Sequence, residues 1–205
     1  MKSEPVLMKR NDIQAALALQ LAQIVDVQTY YYLADKAYYL PSFEVARRII
    51  RGPEPRKGDW RERVAHMTLT ERDDCDDRAH LLKSDFIRAW WDSALVHEEF
   101  GHDARPRSAL AAGVIGFETI TVDPFAAGGG GHIMNWMLNS DGRVRLIEPS
   151  TGEIFDSWTT DTNGGLLLER DALNAEDDLW EKKGLLARSK SPDVKRRVRV
   201  FQLLG

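Results

Sequence analysis

Residues 132–149 read His132-Ile133-Met134-Asn135-Trp136-Met137-Leu138, then Asn139-Ser140-Asp141-Gly142, then Arg143-Val144-Arg145-Leu146-Ile147-Glu148-Pro149. Two runs of mainly apolar residues flank a turn-forming tetrapeptide, a pattern that predicts a β-hairpin. Side chains alternate along a strand, so the register of the hairpin decides which of them share a face. A two-residue Asp141-Gly142 turn would pair Ser140 with Arg143 and set Arg145 and Ile147 beside Met134 and Trp136, mixing charge into the core. A three-residue loop, Ser140 to Gly142, pairs Asn139 with Arg143 and Leu138 with Val144. Gly142 then supplies the left-handed position that such loops require. Met134, Trp136 and Leu138 come to share a face with Val144 and Leu146, while Arg143 and Arg145 face outward with Asn135. The second register is the one expected.

That register has a chemical consequence. Met134 stands opposite Glu148, and His132 stands diagonally beside Glu148 on the core face, roughly 7 Å away, within reach of a carboxylate and an imidazole. Neither group is commonly buried without a partner. A purely structural His–Glu pair satisfies the same pattern, so any chemistry needs a third group.

The third group lies upstream, in Asp73-Asp74-Cys75-Asp76-Asp77-Arg78-Ala79, which holds the only cysteine of the chain. From Cys75, the positions Ala79, Leu82, Phe86 and Trp90 form the stripe of an amphipathic helix running from about Cys75 to Val96. Asp74 or Asp73 is its natural N-cap. A thiol at a helix N-terminus feels the positive end of the dipole, which favours the thiolate. The neighbouring aspartates oppose the thiolate unless a cation compensates them, and an unreactive buried thiol is the plain alternative. Cys75 is therefore the candidate nucleophile, His132 the base, and Glu148 the group that orients the base.

The rest of the chain sets bounds. At 205 residues, 43% apolar and 29% charged, it is expected to form a single domain spanning 1–205, with an N-terminal helix, 12–27, packed on it. A formal charge of −4 argues against a nucleic-acid partner. One cysteine excludes an intrachain disulfide and multi-cysteine zinc sites. No signal-peptide pattern or membrane span is found, which predicts a cytoplasmic protein, with release or non-classical export left open. The His97–Asp103 cluster lacks helical metal-ligand spacing and reads as a solvated helix end, so no metal ligands are assigned. The tyrosines Tyr30, Tyr31, Tyr32, Tyr38 and Tyr39 suit either a cleft lining or a packed aromatic layer. A strand is expected over Ala112–Val122, a turn at Thr151-Gly152, a short acidic helix over Ala172–Glu181, and a closing, solvated edge strand around Arg197–Phe201.

At these residues the sequence resembles the papain-like and transglutaminase-like cysteine peptidases. It is most similar to the C-terminal protease domain of the fairy-ring mushroom (Marasmius oreades) agglutinin with its bacterial and phage relatives. The shared features are Cys75-Asp76-Asp77 opening a helix, Gly131-His132-Ile133-Met134-Asn135, and Glu148-Pro149-Ser150-Thr151-Gly152, over about residues 30–160. The resemblance implies an α+β papain-like fold in which a central Cys-bearing helix packs on an antiparallel sheet carrying His and Glu. It implies a Cys75–His132–Glu148 triad acting on peptide or isopeptide amides of a peptide or protein substrate. It also implies calcium dependence, compatible with the aspartates flanking Cys75. The glutamine that papain-type enzymes place upstream of the cysteine is missing from Met67 to Asp74. A peptidoglycan peptide hydrolase is the rival enzyme, and a non-catalytic binding or virion-structural protein that keeps the fold is the rival from another class.

Overall fold

The computed structural model describes residues 6–22, 25, 29–44, 47, 50, 75–91, 109–121, 131–160, 166–169, 183–185 and 196–205. In chain order these form β1 (Val6–Lys9), α1 (Arg10–Gln20), β2 (Tyr30–Tyr32), β3 (Ala37–Leu40), α2 (Cys75–Trp91), β4 (Ala109–Leu110) and β5 (Ala112–Thr121). There follow β6 (Gly131–Leu138), β7 (Val144–Glu148), β8 (Glu153–Phe155), β9 (Ser157–Thr160), β10 (Leu166–Glu169), β11 (Lys183–Leu185) and β12 (Arg196–Leu204). The architecture is mixed α+β. The acidic helix expected over Ala172–Glu181 and the His97–Asp103 cluster lie outside the described residues.

The main sheet has the order β2-β12-β5-β6-β7-β8. It is antiparallel throughout except for the parallel β2–β12 pair. Two three-stranded sheets, β1-β3-β4 and β11-β10-β9, complete the strands. The hairpin β6–β7 forms in the three-residue register, with Leu138 opposite Val144 and Asn135 opposite Ile147. Asn139 N–H bonds Arg143 O at 3.0 Å, and Gly142 closes the loop with φ +79°, a conformation that L side chains resist.

Both faces of this sheet are buried. On one, Met134, Trp136, Leu138, Val144, Leu146, Phe117, Val200 and Leu203 pack with Ile13, Leu17 and Leu21 of the α1 region. On the other, Met137, Ile147, Ala112 and Leu110 pack with Leu82, Phe86 and Trp90, the stripe of α2. Each fully buried side chain of this size contributes about 1.5–3 kcal/mol relative to exposure.

The second buried face corrects the outward placement expected of Asn135 and Arg145, which are 0% and 5% exposed. A buried guanidinium needs partners. Arg145 donates to both Asp141 carboxylate oxygens, to Asn139 Oδ1 and to Asp156, and it lies 4.3 Å from the centre of the Phe43 ring. The loop is also held from the α1 side. The Gln20 amide donates to Gly142 O and accepts from Val144 N–H, each at 2.8 Å. α1 spans Arg10–Gln20, with Leu21 as its C-cap, and of the residues expected to carry it on to 27 only 21, 22 and 25 are among those described.

Two further expectations change. The tyrosines serve no single purpose: Tyr38 is fully buried and accepts a bond from Asp35 N–H, whereas Tyr30 and Tyr32 stand exposed on β2. β12 is not an edge strand but lies between β2 and β5, with Val200 and Leu203 in the core. Among the described residues no helix is long and apolar enough to cross a membrane.

Candidate functional site

The register of β6 and β7 brings His132 and Glu148 together. His132 Nε2 lies 2.7 Å from Glu148 Oε2, with the histidine side chain 19% exposed and the glutamate 3%. The turn after β7 holds the carboxylate in place. Thr151 and Gly152 N–H bond back to Glu148 O, Gly152 takes φ +69°, and Ser150 N–H donates to Glu148 Oε1 at 3.1 Å. Both carboxylate oxygens therefore have donors, which is what a buried carboxylate requires.

Glu153, which no sequence pattern singles out, stands directly opposite Glu148 across β7–β8 and is 8% exposed. Its carboxylate accepts from Thr151 Oγ1 at 2.9 Å. The signal for it is the connection itself: Pro149 to Gly152 is a tight turn, so Glu148 and Glu153 are its closing pair. The sheet end thus carries one imidazole and two buried carboxylates.

Cys75 opens α2 and is half-buried, with Asp76 and Asp77 in the first helical turn. The expected stripe is real, since Ala79, Leu82, Phe86 and Trp90 are all buried. Arg78, 3% exposed, places a buried cation one residue before Ala79. Asn135 Nδ2 donates to Ala79 O at 2.8 Å and to Gly113 O at 3.2 Å, tying the helix to the sheet. Trp90 stacks near Tyr39 at 5.2 Å, at the Leu110 end of the sheet. The Cys75 end of α2 therefore points toward Ile133 and His132.

The face is a different matter. α2 covers the face of Asn135, Met137 and Ile147, whereas His132 alternates with Met134 and pairs with Phe117, and Glu148 alternates with Leu146, on the other face. By strand alternation, the apolar stripe of α2 and the His132–Glu148 pair belong to opposite faces of the sheet. Among the described residues no hydrogen bond joins Cys75 to His132.

Among the described residues no three His, Cys, Asp or Glu converge on a cation position, and Asp73 and Asp74 lie outside the described residues. No chemistry is routed through a metal.

No family model matches the chain, and no curated protein matches it. Among solved structures it is similar to Polyporus squamosus lectin PSL1a in complex with E64, at a TM-score of 0.48 and 20% identity, over 72% of this chain and 46% of that one. It is also similar to Polyporus squamosus lectin bound to the human-type influenza-binding epitope Neu5Acα2-6Galβ1-4GlcNAc. That likeness has a TM-score of 0.44 and 20% identity, over 72% of this chain and 44% of that one. The chain spans less than half the length of these two solved structures.

These findings correct the functional expectation. Both similar structures are of a fungal lectin rather than a peptidase, so the comparisons lend the expected thiol protease, its hydrolase activity and its peptide or protein substrate no support. Of the resemblance, the agglutinin part is loosely consistent with these neighbours, and the papain-like peptidase part is not shown by them.

Proposed function

We propose that the chain is a non-catalytic, carbohydrate-binding protein that keeps a papain-like arrangement of a Cys-bearing helix on a largely antiparallel sheet. Its binding surface is the sheet end where His132 and Glu148 meet, with Cys75 at the margin. The observation that carries this reading is the 2.7 Å bond between a partly exposed imidazole and a buried carboxylate. A carboxylate bonded through both oxygens holds the ring at a fixed angle, so its second nitrogen is a pre-oriented polar contact. Sugar hydroxyls donate and accept alike, and a fixed imidazole serves either role according to its tautomer. The ligand class follows the epitope held by the second lectin, which supplies the first ligand to try.

Titration calorimetry with Neu5Acα2-6Galβ1-4GlcNAc and its desialylated counterpart, backed by a glycan array, tests the reading. Saturable binding that falls at least about tenfold in His132→Ala, as loss of a buried-pair contact implies, supports it. A folded protein that binds no glycan overturns it.

A further inference from the structure

We propose that Asn135 is a positioning residue that sets Cys75 against the His132–Glu148 pair across the sheet. The inference rests on reading those three residues as one site. Asn135 is fully buried, sits three residues from His132 on β6, and reaches through the α2 face. Its Nδ2 spans two elements, donating to Ala79 O one helical turn from Cys75 and to Gly113 O on β5. Ala79 O already belongs to a helix carbonyl ladder, so the bond from Asn135 is an added tether. An apolar side chain would fill this interface and complete the packing between Met137, Ala112 and Leu82.

The sequence instead places an amide there, and one acceptor is left over: among the described residues Asn135 Oδ1 is buried with no hydrogen-bond partner. An orphaned acceptor in a core costs free energy, and a residue that keeps one is retained for something other than stability. The tether explains it. Helix packing by side-chain ridges alone lets a helix slide and rotate by small amounts, whereas a directional N–H···O bond to a named carbonyl fixes one register. That register fixes how far the first turn of α2 projects toward the strand end that carries His132. The covalent path is short: one helical turn from Cys75 to Ala79, one hydrogen bond, and three residues of β6 to His132.

Three measurements test this. In the wild-type protein, the side-chain amide resonances of Asn135 in a 15N–1H spectrum should shift when Cys75 is alkylated with iodoacetamide; unmoved resonances overturn the proposal. In folded Asn135→Leu, which keeps the branched heavy-atom shape and loses both donors, the Cys75 alkylation rate against pH should depart from wild type by about threefold or more at neutral pH. Glycan affinity should fall with it. A wild-type pH profile together with wild-type affinity overturns the proposal. If Asn135→Leu does not fold, the wild-type spectrum decides. His132→Ala keeps the two failures apart. If it leaves glycan binding intact, the site reading falls and this inference with it; if it abolishes binding while folded Asn135→Leu behaves as wild type, only the role of Asn135 falls.

Discussion

Glu148 is a buried carboxylate at the centre of the proposed binding surface. It is 3% exposed, accepts from Ser150 N–H, and is bonded to His132. Glu148→Ala would leave a buried N–H and an imidazole without their partner, a loss of about 1–3 kcal/mol. It should lower the urea midpoint and weaken glycan binding, because nothing then orients His132. Glu148→Gln fills the same space and can still bond one partner, so its midpoint should stay nearer wild type while affinity falls. Unchanged affinity in both variants, measured by calorimetry, would remove the pair from the binding surface. The pair itself was legible in the sequence, because alternation and the left-handed Gly142 allow only one sensible register. The role of Asn135 was not. An Asn between apolar neighbours reads as an outward residue until a helix is known to cover that face.

At the scale of elements, α2 was legible in its apolar stripe and its start, and the hairpin in its turn. What no pattern reveals is which face of a sheet a distant helix will cover, as the buried Asn135 shows. The acidic start of α2 is open to a direct test, since two of its aspartates, Asp76 and Asp77, sit in the first turn. If they join with upstream acids to hold calcium, millimolar Ca²⁺ added to EDTA-treated protein should raise Tm, as a ligand bound only by the folded state must. An unmoved Tm leaves them as charges that complement the helix dipole.

The hairpin loop makes a separate prediction about pH. Burial alone would raise the Asp141 pKa, but the Arg145 hydrogen bonds, the Arg143 N–H and the charges of both arginines outweigh it, leaving the carboxyl below its ordinary 3.8. A group with a depressed folded-state pKa stabilises the fold above its ordinary value and loses that contribution as pH falls through the lower one. Stability should therefore fall as pH drops below about 4. Asp141→Asn should flatten that part of a pH–Tm curve while lowering Tm at neutral pH. A mutant curve parallel to wild type down to about pH 2 would show that the loop does not couple to acid.

Across the whole molecule, the least legible feature was the sheet order. The basic, alternating run before Val200 reads as an edge strand, yet β12 sits inside, paired to β5 on one side and to β2 in parallel on the other. A parallel partner so far away in sequence leaves no local trace, because parallel pairing has no connecting turn to announce it. Close packing around this strand does have a sequence signature, which is Gly113. A Cβ there would fall inside the backbone carbonyl of Leu204 on β12, and it would stand 2.8 Å from Trp136 Nε1. Neither the strand nor the indole can rotate aside, since Trp136 Nε1 is itself bonded to Leu204 O at 3.2 Å. Gly113→Ala must then push β12 off β5 or break that bond, and overpacking of this kind costs about 1–3 kcal/mol and occasionally more. The urea midpoint should fall with the slope unchanged, since the surface exposed on unfolding is the same. Gly131→Ala is the control: among the described residues its Cβ would meet Phe117 O alone, at 3.3 Å, and the neighbour need give only slightly. Its midpoint should stay within about 1 kcal/mol of wild type, because alanine also loses less chain entropy on folding than glycine does. If the two variants unfold alike, β12 does not lie against Gly113, and the order β12-β5-β6 at the centre of the sheet is wrong.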